Sequence, residues 1–284
     1  MRFSSIFKII ILNIFISKMA HAAVCEERYP ADSEECQYVQ ELEQKAEQGD
    51  ESAQFSLGSW YAEGRYVKPD YKLAIKWLEK AGKQGSDFSY FILGYHYNYG
   101  ENFPLSRQKA LAWYRKAARQ GLPAAQTHLG IMSAFGRGVA QSDRQAIAWY
   151  RKAAKQDFAK AQYQLGVAYS TGRGVPENSR NALKWYLKAA EQGFTPAQSA
   201  LGEIYAHGRQ GVPKDNKQAY IWYYMASMYT EKSKDDCSAL IAERNRLKGT
   251  LTPDQLSETY AAFNLIWRKI DQSKEAKKIA RKKY

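Results

Sequence analysis

Past residue 50 the apolar positions form short stripes, and the stripes themselves recur every 36 residues. In the first stripe Ala53, Leu57 and Tyr61 fall at i, i+4 and i+8; in the second Ala74, Trp77, Leu78 and Ala81 fall at i, i+3, i+4 and i+7. Both spacings place one apolar face on a helix of 3.6 residues per turn. The second helix of each pair has a start signal in the column Asp70, Ser106, Ser142, Asn178 and Asp215. These short side chains accept from the free N–H groups of a first turn. Gly85, Gly121 and Gly193 stop most second helices, with Asp157 at the remaining position, where a left-handed residue ends the helix. Each 36-residue unit therefore predicts a helix–turn–helix.

The same period governs other columns. Leu57-Gly58, Leu93-Gly94, Leu129-Gly130, Leu165-Gly166 and Leu201-Gly202 are in strict register, as are Gly64, Gly100, Gly136, Gly172 and Gly208. Trp77, Trp113, Trp149 and Trp185 form a further column, and Trp222 comes one residue late because the fifth turn gains a residue. Ala-Gln recurs at Ala53-Gln54, Ala125-Gln126, Ala161-Gln162 and Ala197-Gln198. A period of this kind marks a stack of repeats, none of which can bury its own apolar face alone. Leucine and alanine fill the predicted seam, the glycine of Leu-Gly allows close approach, and the tryptophan is expected to fill the gap between the paired helices. The stretch Thr171-Gly-Arg-Gly-Val-Pro176 reads at first like a phosphate cradle. Its glycines recur with the repeat and no Lys-Ser/Thr follows, so it is a turn.

The fourth repeat carries a full set of motifs: Ala161-Gln162, Leu165-Gly166, Tyr169, Gly172-Arg173-Gly174-Val175, Ala182, Trp185-Tyr186, Lys188-Ala189-Ala190 and Gln192-Gly193. On these the chain resembles the Sel-1-like repeat family, a relative of the tetratricopeptide repeats, over about residues 38–230. The resemblance opens on half a unit, Leu42 to Gly49. It departs at Gly100-Glu101-Asn102-Phe103, at Ser133 where a tyrosine belongs, and at Met225-Ala226-Ser227-Met228, as a terminal repeat would. It implies an all-α fold, a right-handed α-solenoid of helix–turn–helix repeats with a concave face. It also implies a protein-binding role with no catalysis, cofactor or metal. Envelope assembly, cell-wall remodelling, host interaction and immunity against secreted toxins are among the family's themes. A branch linked to β-lactam hydrolysis has paired cysteines in every repeat, and this chain lacks them, so that activity is not carried over.

The ends read differently. Arg2 and Lys8, the apolar run Ile9 to Ile16 and Ala20-His21-Ala22 have the form of a cleaved secretory signal over residues 1–22, giving a periplasmic or secreted protein. Residues 23–49 are expected to be an N-terminal cap segment with the half repeat, 50–230 the five repeats, and 231–284 capping helices with a basic tail. Export permits disulfides, and Cys25 with Cys36 is a plausible staple that leaves Cys237 over. After Gly249, Thr252, Pro253 and Gln255 announce a last helix. Its stripe of Leu256, Tyr260, Phe263, Ile266, Trp267 and Ile270 should cover the end of the stack. The tail KEAKKIARKKY is either a solvated helix end or an electrostatic docking site.

Composition narrows the function. The formal charge of +13 falls by three, to +10, when Arg2, Lys8 and Lys18 leave with the signal. A basic exported chain suits acidic partners (anionic lipid, cell-wall polymer, an acidic protein), or the charge serves solubility alone. Only 4 histidines accompany 21 tyrosines and 7 tryptophans, which supplies packing rather than imidazole chemistry. His96, His128 and His207 fall in separate repeats without carboxylates at ligand spacing. No HExxH, GxSxG or CxxC occurs, and export argues against nucleic acid. The positions opposite the core of each first helix are then left for binding. In the second repeat all five, Phe88, Phe91, Ile92, Tyr95 and Tyr99, are apolar or aromatic. With Phe55, His128, Ile131, Phe135 and Tyr163 they form the expected partner-binding face, unless packing between repeats consumes them. A monomer gripping a protein, as adaptor or toxin antagonist, is one expectation; a cell-wall binding or envelope-remodelling factor is another, and a β-lactam hydrolase a third.

Overall fold

The computed structural model describes Pro30 and residues 33–209, 211–230 and 238–282. Thirteen helices occur among them: α1 Glu34–Glu47, α2 Glu51–Glu63, α3 Tyr71–Lys83, α4 Asp87–Tyr99, α5 Arg107–Arg119, α6 Pro123–Phe135, α7 Asp143–Ala154, α8 Ala159–Thr171, α9 Ser179–Ala190, α10 Thr195–His207, α11 Asn216–Thr230, α12 Ser238–Lys248 and α13 Pro253–Lys282. The described residues hold no strand, only an isolated bridge between Arg209 and Val212. The five repeats are the pairs α2–α3 to α10–α11. Two compact units divide the chain: one reaches Leu129 and takes in Arg137–Val139; the other comprises Gly130–Gly136 and the chain from Ala140. In each, successive helix pairs pack in chain order, the arrangement of an α-solenoid.

The helix ends follow from the residues that mark them. Asp70, Ser106, Ser142 and Asn178 are extended N-caps whose side chains accept from first-turn N–H groups, and Asp215 Oδ1 does the same for Lys217 and Gln218. Asp157 takes φ 54°, the conformation that Gly85, Gly121 and Gly193 adopt in its column. Asn102, with φ 57°, and Tyr66, with φ 68°, stand where the third, fourth and fifth repeats have Gly138, Gly174 and Gly211, and the Asn102 amide donates to Ala62 O at 3.0 Å. That bond accounts for the departure of the second repeat from the G-x-G pattern.

The Leu-Gly pair works as a notch. A Cβ on Gly94, Gly130 or Gly166 would lie 2.3–2.6 Å from a ring carbon of Tyr114, Tyr150 or Tyr186. In the second, third and fourth repeats the residue filling the gap is thus the tyrosine after the tryptophan, which corrects the expectation for tryptophan there; in the first repeat Leu78 meets Gly58, and Trp77 and Trp222 are buried. One step along a helix turns a side chain by about 100°, enough to swing the tyrosine into the notch and its neighbour outward. Trp113, Trp149 and Trp185 are half-buried, each beneath a lysine one turn on: Lys116, Lys152 and Lys188, at 3.9, 4.5 and 5.0 Å. The Ala-Gln column also gains a physical account. Gln54 and Gln198 donate to Ala46 O and Ala190 O, carbonyls in the last turn of the preceding helix that also accept from Gly49 N and Gly193 N. Gln84 and Gln192 then donate to Gln54 and Gln162, both at 2.8 Å.

The ends are closed as well. Helix α1 starts earlier than the half repeat suggests, capped by Ser33, and buries Cys36, Val39, Leu42 and Ala46. Cys36 is disulfide-bonded. Cys25 and Cys237 lie outside the described residues, as does the expected signal over 1–22. At the other end Thr252 and Gln255 exchange the two bonds of a capping box. Ile270 is buried in the cluster formed by α9, α10 and α11, with Phe263 and Ile266 packed against it.

Candidate functional site

The positions singled out on the first helices lie on their outward face, and the structure sorts them into two kinds. In the first unit Phe88, Tyr95 and Tyr99 are 52%, 37% and 51% exposed. Tyr95 and Tyr99 pair at 4.5 Å between ring centroids, one helical turn apart. Phe91 and Ile92 are half-buried instead. Phe91 packs edge-on against His128 at 5.4 Å and against Tyr114 at 5.6 Å, so much of its ring is spent on joining repeats. His128 packs on Tyr114 in turn, at 5.1 Å. Phe55 is half-exposed on α2. The face in this unit is therefore narrower than its sequence suggests: three exposed rings on α4, with Phe55 alongside.

In the second unit Ile131 is half-buried against the cluster around Leu165, and Tyr163 packs on Tyr186 and Phe194. Burial pushes the Tyr163 hydroxyl up, with Glu203 adding to it. Phe135 remains 55% exposed under the guanidinium of Arg173. Arg173, the arginine of the glycine turn, bonds Asp143 Oδ1 at 2.9 Å and Ala134 O at 3.1 Å. These groups rim a small pocket of about 70 Å³ lined also by Ile147, Tyr150, Val167 and Ala168. The bridge was not legible beforehand, because the Asp143 column varies in every repeat (Tyr71, Arg107, Ser179 and Asn216 elsewhere) and nothing in spacing ties it to a turn thirty residues away.

The charges are segregated by helix. The first helices α2, α4 and α6 contain Glu51, Glu63 and Asp87 and no lysine or arginine. Helix α5 contains Arg107, Lys109, Arg115, Lys116 and Arg119 and no acid, and α3 has four lysines against Glu79. The aromatic face of the first unit is thus neutral to acidic in a strongly basic chain. His96 is buried, stacked on Phe103 and bonded to Glu101 O, which makes it a packing residue. No group of three or more His, Cys, Asp or Glu able to hold a metal occurs among the described residues. None of the described helices is long and apolar enough to cross a membrane.

Stacked helix pairs with interchangeable scaffold columns and variable outward positions define a helical-repeat protein. The chain belongs to the Sel1 repeat family: the Sel1 repeat model matches residues 51–86, 88–122, 123–158, 159–194 and 195–228. It is similar to the structure of c5321, a protective antigen of uropathogenic Escherichia coli strains with an SLR fold, at 33% identity and a TM-score of 0.69. That alignment covers 85% of this chain and 50% of the other, so the chain spans about half the length of that protein. A Sel1 repeat protein from Oxalobacter formigenes is 31% identical with a TM-score of 0.62, over 74% of this chain and 82% of that one. Comparison with the curated proteins gives no match.

Proposed function

We propose that the chain is an exported binding protein that holds another protein against the exposed rings of α4, as an adaptor or as an immunity-type antagonist of a secreted toxin. The observation that carries this is the exposure of Phe88, Tyr95 and Tyr99 on one helix face. Scaffold columns bury their apolar residues, whereas these rings stand in solvent, and exposed aromatics on a rigid helix are the usual anchors of an interface. Export is supported by Arg2, Lys8, the apolar run and Ala20-His21-Ala22. Replacing Phe88, Tyr95 and Tyr99 together by alanine should abolish recovery of the partner from the exported fraction while leaving the circular dichroism unchanged. Recovery equal to wild type refutes the reading, and an intact N-terminus on mature protein refutes export.

A second reading is favoured by the second helices. The lysines and arginines of α3 and α5 suit an anionic cell-wall polymer. That reading predicts salt-sensitive co-sedimentation with isolated peptidoglycan, lost when Lys72, Lys76, Arg115 and Arg119 become glutamine and unaffected by the α4 substitutions.

A further inference from the structure

The net charge points toward an acidic partner, but the face that carries the exposed rings does not. Helix α4 has Asp87 and no lysine or arginine, and α2 beside it has Glu51 and Glu63. The turns closing α2, α4 and α6 add Arg65, Lys68, Glu101 and Arg137. At the opposite end, where α2 and α4 begin, an open cleft of about 240 Å³ is lined by Glu51, Ser52, Phe55, Ser86, Asp87 and Phe88. Two carboxylates, two hydroxyls and two rings face that cleft, and no basic residue lines it. Among the described residues neither carboxylate is in an ion pair.

We infer that the segment held on this face is basic and aliphatic: a lysine or arginine seated between Phe55 and Phe88 against Glu51 and Asp87, with leucine-like side chains along Tyr95 and Tyr99. The inference rests on the reading that the α4 face is the docking face. Its chemistry follows from the groups present. A long cationic side chain lays its methylene stem on a ring and keeps its charge for a carboxylate, which matches the cleft. The paired Tyr95 and Tyr99 rings have no charged neighbour on their own helix, so the contact over them is apolar. The lysines and arginines of the second helices do not repel such a segment strongly. Lys109 and Lys116 of α5 lie over Tyr97 and Tyr90 of α4, about half a turn around that helix from Phe88, Tyr95 and Tyr99, and screening at physiological ionic strength acts over about 8 Å.

The full chain can be used to select from a displayed library of random peptides, with counter-selection on the Phe88→Ala/Tyr95→Ala/Tyr99→Ala variant. Peptides that depend on the face should be rich in Lys and Arg beside Leu, Ile or Phe, and poor in Asp and Glu. A synthetic peptide of recovered sequence should bind the Glu51→Gln/Asp87→Asn chain about tenfold more weakly. Face-dependent peptides that are acidic, or equal affinity for the Glu51→Gln/Asp87→Asn chain, overturn the inference and leave the docking reading standing. Recovery of the same peptides by the wild-type and triple-alanine chains overturns the docking reading, and the inference with it.

Discussion

Replacing Gly166 by alanine sets two effects against each other, and the structure says which prevails. An alanine in the middle of a helix gains roughly 0.5–1 kcal/mol over glycine from backbone entropy. Against this, the new Cβ would lie 2.5 Å from both Cδ1 and Cε1 of Tyr186 and 3.0 Å from Cγ, where ordinary contact begins at 3.4 Å. The ring would have to retreat by about 0.9 Å. It has little room: it is 4% exposed, its hydroxyl is bonded to Ser170 at 3.2 Å, and Tyr163 packs on it at 5.7 Å. Overpacking of this kind costs about 1–3 kcal/mol, so the net expectation is a loss of about 1–2 kcal/mol. Urea unfolding followed by circular dichroism measures it. In a Tyr186→Ala background the ring is gone, and Gly166→Ala should become neutral or stabilising by up to about 1 kcal/mol. The resulting coupling of about 2 kcal/mol is the quantity of interest. A Gly166→Ala chain as stable as wild type, or the same loss in both backgrounds, refutes the notch as the basis of the Leu-Gly column.

Other expectations are simpler. Asn178→Ala removes the acceptor for Asn181 N and should cost about 1 kcal/mol in thermal or urea unfolding, with no effect on binding. Phe91→Ala should destabilise by about 1–3 kcal/mol because its ring joins Tyr114 and His128, whereas Phe88→Ala should stay within about 0.5 kcal/mol; the opposite order contradicts the assignment of the two rings. Burial pushes the Tyr186 hydroxyl up from 10.0 to about 12, and raises Tyr61, Tyr114 and Tyr150 as well. The folded state therefore holds protons that the unfolded state releases. The stability they contribute is complete below pH 10.0 and is lost as pH climbs toward about 12. Each such tyrosine adds a slope of about 1.4 kcal/mol per pH unit in that window, so urea midpoints should fall steeply there and Tyr186→Phe should make the fall shallower.

Much of the architecture could be read from the chain because repetition multiplies weak signals. A single Ser142 or Asn178 before an apolar stripe is a modest start signal, and five in register fix the helix boundaries. The same averaging hid what is particular. Periodicity identified the Trp-Tyr pair but could not say which ring enters the glycine notch, since both lie within one step on the helix. Phe91 and Phe88 look equivalent as outward positions. Only their surroundings, Tyr114 on the paired helix and His128 in the next repeat, decide that one is packed and the other exposed. Cross-repeat polar contacts such as Arg173 with Asp143 depend on a position that varies from repeat to repeat, since the Asp143 column otherwise holds Tyr71, Arg107, Ser179 and Asn216, so no column announced them. The net charge also misled. It is a sum over helices of opposite character, and the face with the exposed rings lies on the acidic ones.

The central claim is that the α4 face holds a protein partner, and site-specific photocrosslinking tests it most directly. A photoreactive phenylalanine analogue at Tyr95 in producing cells should give a discrete protein adduct, and the same analogue at Arg115 on α5 should not. Equal adducts at both positions, or none at Tyr95, contradict the account.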